Sequence, residues 1–231
     1  MTEGTGPVFD EAHWVIPQWP HPPSCPPLVA MTTTRGSAQI LPNSPGSPHW
    51  LQQVHGTRVI NLDAWHPGIE ADGAWTDRIG EIAVIQTADC LPILMTGQAH
   101  PFVAAIHAGW RGLAAGMVAS AVEACPGHPD DMQVWLGPAI SQAHYEVDAP
   151  VYQAFVGQNP TLDDYFQPTR SGHWRADLVG IAVWQFQRAG VSQIAVSGEC
   201  TASAPGRYFS HRAGRTPADR QGRMSSLIWL A

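Results

Sequence analysis

The sequence predicts a single domain of α/β type. Three observations carry this: apolar runs of strand length follow one another after residue 50, helical segments interleave with them, and no repeat, heptad pattern or linker interrupts them. A chain of 231 residues is long enough to bury a large core. The first fifty residues are rich in proline, and within them PLVAMTTT (27–34) reads as a strand. The stretch 37–48 reads as a loop or disordered bridge. Strands are then expected at 57–62, 81–87, 91–96, 101–107, 132–137 and 193–198. Helices are expected at 112–124, ended by Pro126 and Gly127, at 149–157 and at 177–189, ended by Gly190. Asp148 is placed to cap the second of these, with Pro150 in its first turn.

Composition narrows the chemistry. The net charge of −7 argues against a large nucleic-acid footprint, which needs a basic face. There is no lysine, and all 12 basic residues are arginines. Schiff-base chemistry on a lysine and a Walker-type lysine loop are therefore excluded. An anion must be held by arginine, histidine, backbone N–H groups or metal. The cysteines, Cys25, Cys90, Cys125 and Cys200, are widely spaced and form no CxxC pair, so free thiols in a reducing compartment are expected. The N-terminus lacks the basic start and apolar run of a signal peptide, and no segment approaches the ~20 apolar residues of a membrane helix. The expectation is a soluble, cytoplasmic protein without membrane or nucleic-acid partners.

Three side chains at element junctions stand out: His55 in WLQQVHGTRVI, Cys90 in QTADCLPIL and His107 in IHAGWRGLAAG. Each lies beside a strand-like run, where side chains can converge at one edge of a sheet. A His–Cys–His set suits zinc, and three protein ligands leave a fourth position for water or substrate. The gaps of 35 and 17 residues form no short ligand motif, so spacing alone leaves open a buried thiol and structural histidines. Asp89 could orient a histidine, act as a base or cap a turn. Arg111, at a glycine-rich helix entry, could hold an anion or form a surface salt bridge. Asp72 is explained by Asp-Gly turn chemistry, so it and Asp77 carry little functional weight here. Most of the ten tryptophans are expected in the core or covering sheets, with one or two left over to stack on a ligand.

The words WLQQVHG, ADGAWTD, TADCLPIL, HAGWRGLAAG, WLGPAIS, YEVD and GRMSSLIWL together strongly resemble the YfiH-type laccase-domain family. Its members are called polyphenol oxidases in older naming and purine nucleoside phosphorylases in newer naming. The resemblance runs from Trp50 to the C-terminus, with weaker agreement at VIPQWP and TTTRG. It implies one α+β domain of mixed sheets packed against flanking helices. It implies one zinc per chain on His55, Cys90 and His107, with copper as the alternative metal. The implied activity is phosphorolysis of adenosine, inosine, guanosine and methylthioadenosine, together with adenosine deamination. Nucleosides and phosphate are then the partners, and oligomeric state is left open. In this reading Cys90, His107, Asp89 and Arg111 are the catalytic set, and Arg111 would pair with phosphate together with Arg35 or Arg212, the substrate-binding arginines. Asp89 or a metal-held water would assist the departing base.

The chain departs from the family pattern before Trp50. After Thr34-Arg35-Gly36 the family usually continues through several tens of residues that contribute to the substrate pocket, and here only SAQILPNSPGSPH intervenes. Residues 1–49 thus read as a shortened N-terminal region and 50–231 as the laccase-like catalytic domain. Near the C-terminus, His211 and Ala213 replace the family's aromatic and basic choices, while Arg212 remains. Other readings follow: a copper-dependent phenol oxidase, a peptidoglycan-precursor editing hydrolase, a zinc protein with impaired catalysis, or a hydrolase with Cys90 as nucleophile and His107 as base. The oxidase is disfavoured because none of the 11 histidines forms an HxH pair.

Overall fold

The computed structural model describes residues 13–19, 27–37 and 44–231. Cys25 and half of the 37–48 bridge, residues 38–43, lie outside the described residues. Among the described residues, thirteen strands and five α-helices follow in the order β1 (Trp14–Val15), β2 (Leu28–Thr33), β3 (Val59–Asn61), β4 (Gly73–Thr76), β5 (Ala83–Thr87), β6 (Leu91–Gly97), β7 (Val103–Ala108), α1 (Trp110–Ala114), α2 (Met117–Ala124), β8 (Met132–Leu136), β9 (Glu146–Asp148), α3 (Ala149–Val156), β10 (Phe166–Pro168), β11 (His173–Ala176), α4 (Leu178–Arg188), β12 (Gln193–Val196), α5 (Pro217–Gln221) and β13 (Met224–Leu230). They build a six-stranded sheet, β12-β8-β6-β7-β4-β3, a four-stranded sheet, β1-β2-β13-β5, and a small sheet, β10-β11-β9. In the six-stranded sheet β12 and β8 are parallel, as are β3 and β4, while the pairs between them are antiparallel. The class is therefore α+β with mixed sheets, a refinement of the α/β alternation read from the order of elements.

The period-two alternation of strands assigns each residue to a layer. On β6, Leu91, Ile93 and Met95 face a core shared with the helices, while Leu94 faces the four-stranded sheet. On β7, Ala104, Ile106 and Ala108 face the helices, while Val103 and Ala105 face that sheet. Both central strands are fully buried, which is why they read as unbroken apolar runs. His107 has the parity of Val103 and Ala105, so the ladder itself turns it away from the helices. A third cluster, with Met31, Ile82, Val84, Leu227 and Trp229, covers the other side of the four-stranded sheet.

Among the differences from the sequence reading, which include β1, β9 to β11 and α5, three have a clear local cause. The expected helix at 112–124 is two helices, α1 and α2, because Gly116 takes a left-handed conformation (φ 97°) and breaks it. The Asp72-Gly73 step is the entry to β4 rather than a hairpin turn. Its glycine is required by close packing, since a Cβ there would lie 2.5 Å from the Ile106 side chain and 3.0 Å from Val59. Strand β13 was not expected, because Ser225 and Ser226 interrupt its apolar run. Both are buried and satisfied across the sheet: Ser226 Oγ meets Thr32 Oγ1 at 2.6 Å, and Ser225 N donates to Thr33 Oγ1 at 2.8 Å.

A Cβ on Gly116 would meet nothing within 4 Å, so Gly116→Ala isolates the backbone cost of the left-handed break. Urea unfolding should show a loss of about 1–2 kcal/mol. No loss would mean that the break relaxes into one continuous helix.

Candidate metal centre and its cleft

His55, Cys90 and His107 converge. Their ligand atoms all lie within 4.8 Å of one another, with Cys90 Sγ 3.9 Å from His55 Nε2. The two imidazoles cross at 82° with centroids 4.7 Å apart, so the rings do not stack over each other's nitrogens. Each ligand is delivered by a different device. His107 is the penultimate residue of β7, paired with Pro92 of β6. Cys90 immediately precedes β6, on the same sheet face as Pro92. His55 comes from the loop before β3 and sits in a left-handed conformation (φ 60°), which is uncommon for a residue other than glycine. Room for the set depends on Gly109, where a Cβ would stand 3.0 Å from His55 Cδ2 and 3.1 Å from Cys90 Sγ.

Asp72 organises the group. It is fully buried and accepts backbone N–H bonds from Val54 (3.3 Å), His55 (2.9 Å) and Gly56 (2.6 Å). It also meets His107 Nδ1 at 2.8 Å. That contact commits His107 Nδ1 to the carboxylate and leaves Nε2 for a metal. Burial pushes the Asp72 carboxyl up, but the bonds from His107, Gly56 and His55 outweigh it and hold it below the usual range. Burial likewise pushes the Cys90 thiol up, yet His107 and His55 bring it down to about 6. Burial lowers His107, while Asp72 and Cys90 raise it to about 9. A thiolate and two imidazoles at this spacing fit a borderline-soft divalent ion such as zinc. The turn reading of Asp72 gave no hint of this role. The signal was its place one residue before a strand that pairs with the strand carrying His107.

The group lies in a cleft of about 600 Å³, the size of a small-molecule site. Arg111 and Arg212 line it, and Arg223 joins them without having been singled out from sequence. The Arg111 guanidinium lies 4.5 Å over the Trp110 ring. Asp89 also lines the cleft but does not touch a histidine. Its two oxygens accept from Thr201 Oγ1 and Arg212 N, each at 2.7 Å, and it takes a left-handed conformation (φ 85°). Arg35 is not brought to this cleft. It pairs with Asp219, donates to Pro205 O at 3.2 Å and lies 4.8 Å over the Phe209 ring. Among the described residues, Cys90, Cys125 and Cys200 are free, and no helix is long and apolar enough to cross a membrane.

The family model described as multi-copper polyphenol oxidoreductase laccase matches residues 30–231. The chain belongs to this family. Within the laccase-like family, a Xylella fastidiosa protein named purine nucleoside phosphorylase is 41% identical over 194 residues, covering 80% of this chain and 73% of its own. The Escherichia coli purine nucleoside phosphorylase YfiH is 32% identical over 246 residues, covering 94% and 98%. Among solved structures, the Neisseria meningitidis protein NMB0706 superposes with a TM-score of 0.82 at 31% identity, covering 94% of this chain and 99% of that one. YlmD from Geobacillus stearothermophilus gives 0.73 at 26% identity, covering 88% and 92%.

Two outcomes test this centre. Asp72→Asn keeps the shape but weakens the hold on His107 and the 54–56 loop, so zinc affinity should fall about 10- to 100-fold in a competitive chelator titration. An unchanged affinity would show that Asp72 serves folding alone. In metal-free protein at pH 7.5, Cys90 is already a thiolate below its ordinary range and His107 is still protonated, with values of about 6 and 9. Zinc should therefore release at least one proton, from His107, with up to one more from a water held at the fourth position, measurable by calorimetry in buffers of different ionisation enthalpy. Release of none would contradict this charge state.

Proposed function

We propose that this protein is a zinc-dependent purine nucleoside phosphorylase acting on adenosine, inosine, guanosine and methylthioadenosine, with adenosine deaminase activity in the same cleft. The carrying observation is the His55–Cys90–His107 group inside an arginine-lined cleft of nucleoside size. The names of the Xylella and Escherichia coli relatives support the reaction class. Zinc bound by His55, Cys90 and His107 would supply Lewis-acid chemistry there.

The chain's own residues divide the remaining work. Arg111 and Arg212 are permanently charged donors on the cleft wall and would draw phosphate in. Arg212 is partly committed, since Nη1 donates to Glu146 O at 2.9 Å, which fixes the direction of its other donors. Asp89 supports it from behind by accepting the Arg212 backbone N–H. Trp110, Leu51 and Ile140 offer apolar surface for a base. Gln53 and the Gln86 backbone exchange bonds of 2.8 and 2.7 Å, giving the cleft a rigid polar wall.

The family's description favours a second reading, a copper-dependent phenol oxidase. Among the described residues, however, a single three-ligand group is brought together, whereas multicopper oxidation needs several copper sites. The match to the Escherichia coli relative spans 246 positions against 231 residues here, which supports a segment missing from this chain.

The test is release of free base from inosine and adenosine by metal-quantified protein, with and without phosphate, for wild type and Cys90→Ala. Base should appear only with phosphate and only in wild type, and inosine should form from adenosine. Zinc-loaded wild type that forms neither base nor inosine would leave a zinc protein without this catalysis.

A further inference from the structure

The Tyr145 hydroxyl is accounted for neither by the metal group nor by the arginines. Tyr145 lies just before β9 and lines the cleft with its ring half-buried. Its backbone is held on both sides: N donates to Gln142 O at 3.2 Å, and O accepts from Ala176 N at 3.0 Å. Arg212 lies 5.3 Å over the ring and is itself tied to the next residue, Glu146. The ring is thus pinned, while its hydroxyl makes no hydrogen bond among the described residues and is not a buried atom, on a residue that lines the cleft. The charged groups that act on it, Cys90, Arg212, Arg111 and Asp89, surround that same cleft. Partial desolvation of the residue raises its pKa, so the hydroxyl, though open to solvent, keeps its proton at physiological pH.

The hydroxyl suits one task that this chemistry requires. Phosphorolysis needs a donor where negative charge grows on the departing purine. The arginines suit phosphate. Asp89 is not placed to donate, because both its oxygens already accept. The Thr87 hydroxyl, also on the cleft wall, is buried. We propose that Tyr145 is a catalytic residue of this cleft, donating a hydrogen bond to the purine ring as the glycosidic bond breaks; this rests on the phosphorylase reading. A phosphate oxygen bonds to C1′ as the C1′–N9 bond breaks, and that electron pair passes into the purine, raising negative charge at N7. The hydroxyl donates to that nitrogen. The proton that hydrogen phosphate loses ends on the free base, so the tyrosine is unchanged after turnover.

The experiment compares wild type and Tyr145→Phe, at equal zinc content, on inosine and on 7-methylguanosine with inorganic phosphate. The base of 7-methylguanosine already carries a positive charge at N7 and needs no donor there. Tyr145→Phe should lose about 10²-fold in kcat on inosine. On 7-methylguanosine kcat should be nearly unchanged, as should the KM for phosphate on both. An equal loss on both nucleosides, or a loss confined to the KM for phosphate, overturns the assignment while wild-type turnover upholds the phosphorylase reading. Wild type that phosphorolyses neither nucleoside overturns that reading, and this role with it.

Discussion

The site depends on one buried carboxylate. Asp72 has no exposed surface, and an ionised group in that position is costly unless donors compensate it. Here the donors are the N–H groups of Val54, His55 and Gly56 and the His107 imidazole. This arrangement does two things together. It ties an irregular loop to the end of a central strand, and it sets which His107 nitrogen faces the cleft. The left-handed backbone of His55 is held by the same bonds.

The sheet supplies the rest of the precision. The ladder pairs Gly73 with Ile106, so the preceding residue, Asp72, falls beside His107, and His107 N donates to Asp72 O at 2.7 Å. Neighbouring β6 pairs Pro92 with His107 and brings Cys90 to the same end and face. Glycines at 73 and 109 permit this closeness. Across the cleft a second chain of contacts runs from Thr201 through Asp89 to the Arg212 backbone, then from its guanidinium to Glu146 and the Tyr145 ring. One carboxylate thus sets the ligands and another sets the arginine, and neither is spent on holding an ion directly.

Much of the framework was legible in sequence because the central strands are buried on both faces and read as apolar runs. Strands β5 to β8 and β12, and helices α3 and α4, fall where those runs and their glycine and proline boundaries place them. What escaped depends on partners far along the chain. Strand β13 hides behind two serines whose hydrogen bonds reach residues 32 and 33. Strand β4 hides behind an Asp-Gly pair that resembles a turn. Histidine and cysteine chemistry brought His55, Cys90 and His107 forward as candidates, but their convergence follows from strand register. The carboxylate that orients them was passed over, since its donors lie 16 to 35 residues away. Arg35 shows the converse: its charge suited phosphate, yet folding pairs it with Asp219.

Metal identity and reaction are joined in one claim, that a single zinc on this group sustains phosphorolysis. The most direct measurement is to titrate zinc, and separately copper, into metal-free protein while following phosphate-dependent release of hypoxanthine from inosine. Activity should rise linearly to about one zinc per chain and then stay flat, as a three-ligand catalytic site requires. Activity that ignores zinc, or that appears only with copper, would contradict the account.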